Sequence, residues 1–420
     1  MSGGSVAVVA RMVHMVVLGE FRADRLAPAL RSGGAKVTVL GFADLTSFLG
    51  PGTACGELPA ELDESGLLRL LNDCGADVAV PNMGCQGQEQ FLPVYSRAAS
   101  RLRGAGCHMP VHPETFAVPA SDKAVLHRLA VGRGWPVPRG VVCEEAAELP
   151  GAVGDLGLPV LVKEARSEFH AGRHYVRDRG RLERVSGEVR YPVLVQEAVS
   201  GDEYAVEFLS GQSVTVAWPV ASLGRLDGDC APGRRVRVAP AALPARAQEQ
   251  LTATVADMVE STAPWGPWQM DFAVTDDGRL QVIELNGRLS GVSNMSWAST
   301  GLDPHVAYAH AVLGRPSSAP RAHRVALELP VRNGVALPPL PAGTRLMSFP
   351  GNPANPGPFI GGYQRPVLCV PGDRASAVGA VGAWLRSLLP GTLLNGADEA
   401  AAQLGRGLDA LRRGGGRPGV

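Results

Sequence analysis

The chain has 420 residues, 45% of them hydrophobic, which suffices for two or three domains with a large core and excludes global disorder. Forty Lys and Arg balance forty Asp and Glu, so no long-range field exists to hold a polyanion or an anionic membrane, and nucleic acid is disfavoured as a partner. The seven cysteines are dispersed and form no CxxC pair and no Cys/His cluster at metal spacing, a pattern of reduced thiols that fits a cytoplasmic protein. No apolar run approaches membrane-spanning length, and the start MSGGSVAVVARM lacks the layout of an export signal.

Val-rich runs at 5–10 (SVAVVA), 36–40 (KVTVL) and 77–80 (DVAV) alternate with helically spaced segments, Phe21 to Leu30 and Leu92 to Leu102. This alternation predicts a small parallel sheet with crossover helices. Gly33-Gly34 and residues 104–106 mark helix exits; Pro110, His112-Pro113 and Pro119 predict a stiff connection and a boundary near residue 116. Ser121 is placed to cap a helix running through Lys123, Leu126 and Leu129 to Gly134. A strand Gly140 to Cys143, a second helix and a strand Leu158 to Glu164 follow. From 189 to 290 hairpins surround one long helix, Ala245 to Thr262, the pattern of an α+β region. Residues 315–321 form a Pro/Ser linker, after which come a turn-rich stretch at 350–358, an Ala/Leu helix from Arg374 to Leu389 and a disordered tail GGGRPGV.

The segment WQMDFAVTDDGRLQVIELNGRLSG, residues 268–291, carries the most chemistry. Asp277-Gly278 signals a two-residue hairpin loop, which would pair Asp276 with Arg279, Val274 with Gln281 and Asp271 with Glu284. The side-chain period of two then sets Asn286 on the face of Glu284. Directly opposed carboxylates destabilise a sheet unless positive charge lies between them. A hard cation held by Asp, Glu and an Asn carbonyl would supply that charge, and Mg²⁺ suits such ligands. The alternative is a hairpin whose acids face water.

This hairpin, an acid followed by E-x-N, resembles the metal strands of the ATP-grasp family. Further matches occur in the family's order. SDKAVLHRLAVGRGWPVPRG resembles its entry helix, with Lys123 as first phosphate lysine, and LGLPVLVKEA resembles the strand carrying the second, Lys163. VLVQEAVSGDEYAVE resembles the adenine hinge: Gln196 meets the exocyclic amine, Glu197 to Val199 offer backbone groups, and Glu203 takes the ribose hydroxyls. ELNGRLSGVSN adds a catalytic arginine, Arg288, to the metal ligands Asp271, Glu284 and Asn286, and TGLDPHVAYAHAVLGRP resembles the helix closing the domain. The loop after Lys163, EARSEFHAGRHYV, departs from the glycine-rich lid: Glu164 replaces the usual proline and only Gly172 remains, with His170 and Arg173 as added charge.

The resemblance implies an α/β and α+β fold with a Rossmann-like N-terminal domain (1–116), an ATP-grasp domain (117–316) and a small C-terminal domain (317–420). It implies ATP and Mg²⁺ as cofactors, small-molecule carboxylate and amine substrates, and, as is frequent among such ligases, a homodimer. The reaction it implies activates a carboxylate as an acyl phosphate and couples it to an amine, with release of ADP. Amino-acid and peptide ligases of secondary metabolism, the pheganomycin type among them, are the subgroup that the chain's layout suggests. Lys123 and Lys163 would neutralise the transferring phosphoryl group and Arg288 would hold the substrate carboxylate. A grasp-type kinase and an inactive nucleotide-binding module are the alternatives, and Arg288 favours the ligase. Residues between Trp218 and Arg237, including Arg234 and Arg235, and Ser290 to Ser299, with Asn294 and Trp297, are expected on the acceptor side.

Overall fold

A computed structural model describes residues 11–84, 87–168, 172–211, 214–226, 234–315, 318–349, 362–372 and 375–414. The run at 5–10, residues 350–358 and positions 415–420 of the tail lie outside these. The N-terminal unit is a four-stranded parallel sheet in the order Ala54–Glu57, Lys36–Gly41, His14–Leu18, Val78–Pro81. Its central strand His14–Leu18 is buried at all five positions, and alternation reveals nothing about a strand covered on both faces. Val16 and Leu18 enter one core with Leu92, Tyr95, Phe116 and Trp268, whereas Met15 and Val17 enter a second with Leu26, Leu30 and Tyr308. Helices Ala23–Ser32 and Leu92–Gly104 occupy the segments whose spacing predicts them.

The connection that follows differs from the expected stiff coil. Residues Glu114–Ser121 form a helix that tolerates Pro119, and its Phe116 lies between the rings of His112 and Trp268. Ser121 ends that helix. The cap of the next one, Lys123–Arg133, is Asp122, whose Oδ1 accepts the N–H groups of Ala124 and Val125 at 3.0 and 3.1 Å, while Gly134 closes it in the left-handed conformation. Asp122 is the residue immediately before the first turn, whereas Ser121 still belongs to the preceding helix, so the carboxylate and not the hydroxyl meets the free N–H groups.

Two further sheets frame the site. The smaller is antiparallel, in the order Gly140–Cys143, Val193–Glu197, Val160–Glu164, Arg173–Val176. The larger runs Leu280–Asn286, Gly266–Thr275, Gly201–Ser210, Ala221–Arg225, Arg237–Ala239, Arg324–Glu328, Val367–Pro371, Arg345–Met347. Strands from the last hundred residues thus continue the sheet that holds the carboxylate hairpin. The long helix Ala245–Thr262 has the expected bounds. The Ala/Leu helix spans Ala375–Ser387, and a further helix, Gly396–Arg412, packs its Gly407 against Val238 and Val325 so closely that a Cβ there would lie 2.6 and 2.7 Å from their methyls. Among the described residues no helix is long and apolar enough to cross a membrane.

His112 joins the N-terminal unit to the large sheet. Its Nε2 lies 3.0 Å from the Pro267 carbonyl and its Nδ1 accepts the Trp265 N–H at 3.1 Å, which fixes a neutral ring. Burial pushes its pKa down to about 4 from 6.5, so on acidification the unfolded chain takes the proton first. The contribution is therefore complete above pH 6.5 and is lost as pH falls toward 4. Urea titrations should show stability falling by about 2 kcal/mol between pH 7 and pH 5, and His112→Gln should flatten that fall.

Candidate active site

The hairpin brings Asp271 opposite Glu284, as its sequence predicts, but by another route. The loop has three residues, with Thr275 bonded to Arg279 and Gly278 left-handed at φ 77°. Val274 therefore faces Leu280 and not Gln281, and Asp276 does not face Arg279. A bulge then leaves Ile283 unpaired, and the register recovers at Asp271–Glu284, Met270–Leu285 and Gln269–Asn286. Without the extra residue Glu284 would turn to the apolar face. Asn286 donates to Asp271 Oδ2 at 3.2 Å and Gln269 donates to its Oδ1 at 2.6 Å.

Charge is arranged asymmetrically across this pair. Lys123 Nζ approaches Glu284 Oε1 at 3.3 Å and Arg173 Nη2 approaches Oε2 at 3.2 Å. Burial opposes ionisation of Glu284, but Lys123, Arg173 and Lys163 outweigh it and hold the pKa near 2. Asp271 has the opposite fate: burial, then the charges of Glu284 and Glu203, push it well above the usual carboxylate range. Among the described residues no three His, Cys, Asp or Glu side chains cluster as metal ligands; the groups brought together here are two carboxylates and one amide. They fit a hard divalent cation, and Asp271, hydrogen-bonded to two neutral amides, lacks the compensating charge that such an ion brings.

The smaller sheet contributes Lys163, 2% exposed, which donates to Gln196 Oε1 at 2.7 Å. Gln196 Nε2 is 3.4 Å from His127 Nδ1, and His127 Nε2 is 3.3 Å from the Gly140 carbonyl. His127 follows Lys123 by one helical turn, and that i, i+4 spacing is the signal by which sequence could have found it. In the linker, the N–H groups of Glu197 and Ala198 are bonded to the carbonyls of Arg139 and Pro159, and the Glu197 carboxylate accepts the Arg139 N–H at 3.1 Å. The N–H groups of two of the three expected hinge residues are thus engaged, and Val199 stands half-buried beyond them. Glu203 is buried and paired with Arg235 at 2.8 Å.

Arg288 lies past the end of its strand at Asn286, not on it. Its guanidinium contacts the Glu89 carboxylate, an acid of the N-terminal unit that sequence offers no means of finding. Burial pushes Glu89 up to about 7 against the pull of Arg288. Glu207 is likewise raised to about 7 by burial, although Ser293 and Ser296 donate to it. Of the expected acceptor-side residues, 227–233 lie outside the described residues, and several others make structural contacts: Asn294 accepts from Arg25 at 2.5 Å, Trp297 lies against the Arg25 guanidinium, Trp218 donates to the Leu302 carbonyl, and Arg237 pairs with Glu328. His170 lies outside the described residues. Replacing Gln196 by Leu removes one acceptor from a buried ammonium, and urea unfolding should register a loss of about 1–3 kcal/mol.

No family model matches the chain. Over 182 residues it is 27% identical to a D-alanine–D-alanine ligase of Azoarcus sp. (strain BH72), covering 40% of this chain and 57% of that protein, so it spans little more than half of that relative. Among solved structures, N5-carboxyaminoimidazole ribonucleotide synthetase from Thermotoga maritima superposes with a TM-score of 0.67 at 16% identity, over 90% of this chain and 98% of that one. An L-amino acid ligase from Bacillus licheniformis does so at 0.64 and 20% identity, over 86% and 94%. With two sheets meeting over an acid, E-x-N hairpin and a lysine from each of the expected elements, the chain has the ATP-grasp fold.

Proposed function

We propose that the chain is an ADP-forming carboxylate–amine ligase that uses ATP and Mg²⁺. The observation that carries this reading is the convergence of Lys123, Lys163 and Arg173 on Glu284, which faces Asp271, with Arg288 beyond it. Its relatives by sequence and fold include a D-alanine–D-alanine ligase and an L-amino acid ligase, which supports the reaction class.

Adenosine would lie between the two sheets, against Gln196 and the linker from Glu197 to Val199, with its ribose at Glu203. Lys123 and Lys163 would bind phosphate oxygens, and Arg173 would turn from Glu284 toward the same charge. Asp271, Glu284 and Asn286 would hold the magnesium ion, which when bound neutralises phosphoryl oxygens. Phosphorylation makes the substrate carboxylate attackable, because phosphate leaves where oxide cannot. Arg288 has the planar fork to hold that carboxylate and then the oxyanion formed as the amine attacks. Its present partner Glu89 is itself a carboxylate, which supports the assignment of Arg288 as a carboxylate-binding group. The substrates are read as amino acids or peptides; a place in secondary metabolism rests on sequence resemblance alone.

Hydroxylamine trapping tests the reading without knowledge of the amine. With Mg-ATP and a panel of carboxylates, one of them should yield hydroxamate and ADP in equal amounts by mass spectrometry; ADP with a stable phosphorylated product would point to a kinase instead. Glu284→Gln should lower ADP formation by about 100-fold or more with an unchanged circular dichroism spectrum. Lys163→Ala should weaken ATP binding far more than adenosine binding by calorimetry, and equal losses would contradict its role at phosphate.

A further inference from the structure

Glu207 lies on strand Gly201–Ser210, directly opposite Gln269 on the neighbouring strand, and is 1% exposed. Gln269 and Asp271 are two positions apart, so all three side chains share the face of the sheet that carries the expected metal ligands. Among the described residues no cation pairs with Glu207; its partners are the hydroxyls of Ser293 and Ser296 and the N–H of Ser290, the last at 3.3 Å. A buried acid without a cation is a cost to the fold, and what it orients is therefore of interest.

The Ser290 N–H belongs to the Leu289–Ser290 peptide, whose other side faces Arg288: the Leu289 carbonyl accepts Arg288 Nη1 at 3.1 Å. The N–H and C=O of a trans peptide point in opposite directions, so an acceptor on one side aims the carbonyl on the other. A backbone N–H can only donate, which makes Glu207 Oε1 the acceptor. With Nη1 held by the carbonyl, the Nε and Nη2 groups of Arg288 meet Glu89, and that edge is the fork that matches a carboxylate. Ser290 is also fixed from the metal side. Its Oγ accepts the Val292 N–H at 3.2 Å and gives its own proton to Gln269 Oε1, which leaves the Gln269 amide to donate to Asp271 at 2.6 Å.

We propose that Glu207 is a positioning residue: through the Leu289–Ser290 peptide it orients Arg288 so that the Nε–Nη2 edge faces the substrate carboxylate. The inference rests on the ligase reading above and adds to it a residue that touches no substrate. An acid that did no more than cap the start of helix Ser293–Thr300 would alter stability and leave the kinetics of the folded enzyme unchanged.

The test uses the full chain, Mg-ATP, hydroxylamine and the carboxylate identified by trapping. Glu207→Leu fills the space but offers no acceptor; kcat/KM for the carboxylate should fall about 100-fold, with its KM raised and the KM for ATP unchanged. Glu207→Gln keeps an acceptor for the Ser290 N–H and should recover most of the loss. Should Glu207→Leu not fold, Glu207→Met, with a more adaptable side chain, takes its place with the same expectation; failure of both to fold marks the acid as structural and overturns the inference. A folded Leu or Met variant with a wild-type KM for the carboxylate overturns it too, as do KM values for ATP and carboxylate that rise together, or a Gln variant as impaired as the Leu one. If no carboxylate yields hydroxamate with the wild type, the ligase reading itself fails, and hydrogen exchange of the 287–292 segment decides the role of Glu207 separately. Faster exchange in Glu207→Leu, restored in Glu207→Gln, upholds its hold on the segment carrying Arg288, and unchanged exchange overturns it.

Discussion

Two carboxylates set face to face on neighbouring strands repel, and much of this molecule is arranged around that repulsion. Asp271 and Glu284 occupy opposed positions in the hairpin. Glu284 stays ionised because Lys123 from a helix start, Arg173 from the smaller sheet and Lys163 from its neighbouring strand surround it. The same contacts close the larger sheet onto the smaller one. Asp271 receives only the weaker pull of Arg288, outweighed by burial and by Glu284 and Glu203, and its environment is therefore prepared for a positive guest. Hydrogen bonds to the amides of Gln269 and Asn286 orient it without neutralising it.

The N-terminal unit is bound into this arrangement by contacts of several kinds. Phe116 and Trp268 meet edge to face, Tyr308 donates to the Pro81 carbonyl at 2.8 Å, and Glu89 meets Arg288. Arg25 makes the widest connection: it bonds Asn294 and Asp303 and lies 5.1 and 5.2 Å from the rings of Trp297 and Phe349. Such a cation between two aromatic faces resists displacement by water. Motions that open the site must therefore loosen buried ionic and aromatic contacts, not merely swing a tethered lobe.

Sequence revealed best what depends on local spacing. The helix Ala245–Thr262, the strand Gly140–Cys143 and the Asp271–Glu284 juxtaposition were all legible, because periodicity and turn chemistry act over a few residues. His14–Leu18 was hidden by burial on both faces, and the helix Glu114–Ser121 by its prolines. Glu89 was beyond reach, since nothing local links it to Arg288 199 positions away. The contacts of Asn294 and Trp297 were hidden for the same reason, since both meet Arg25, a residue far from them in sequence.

The unpaired Ile283 has an implication for how this hairpin can vary. The three-residue loop shifts the strands by one position, and the bulge at Ile283 shifts them back before Glu284. The two irregularities are complementary, so neither can be gained or lost singly without moving Glu284 off the face of Asp271. With the number of residues between Asp271 and Glu284 held fixed, a two-residue turn without a bulge and a three-residue turn with one bring the same two carboxylates face to face, so the hairpin can change its turn without losing its site.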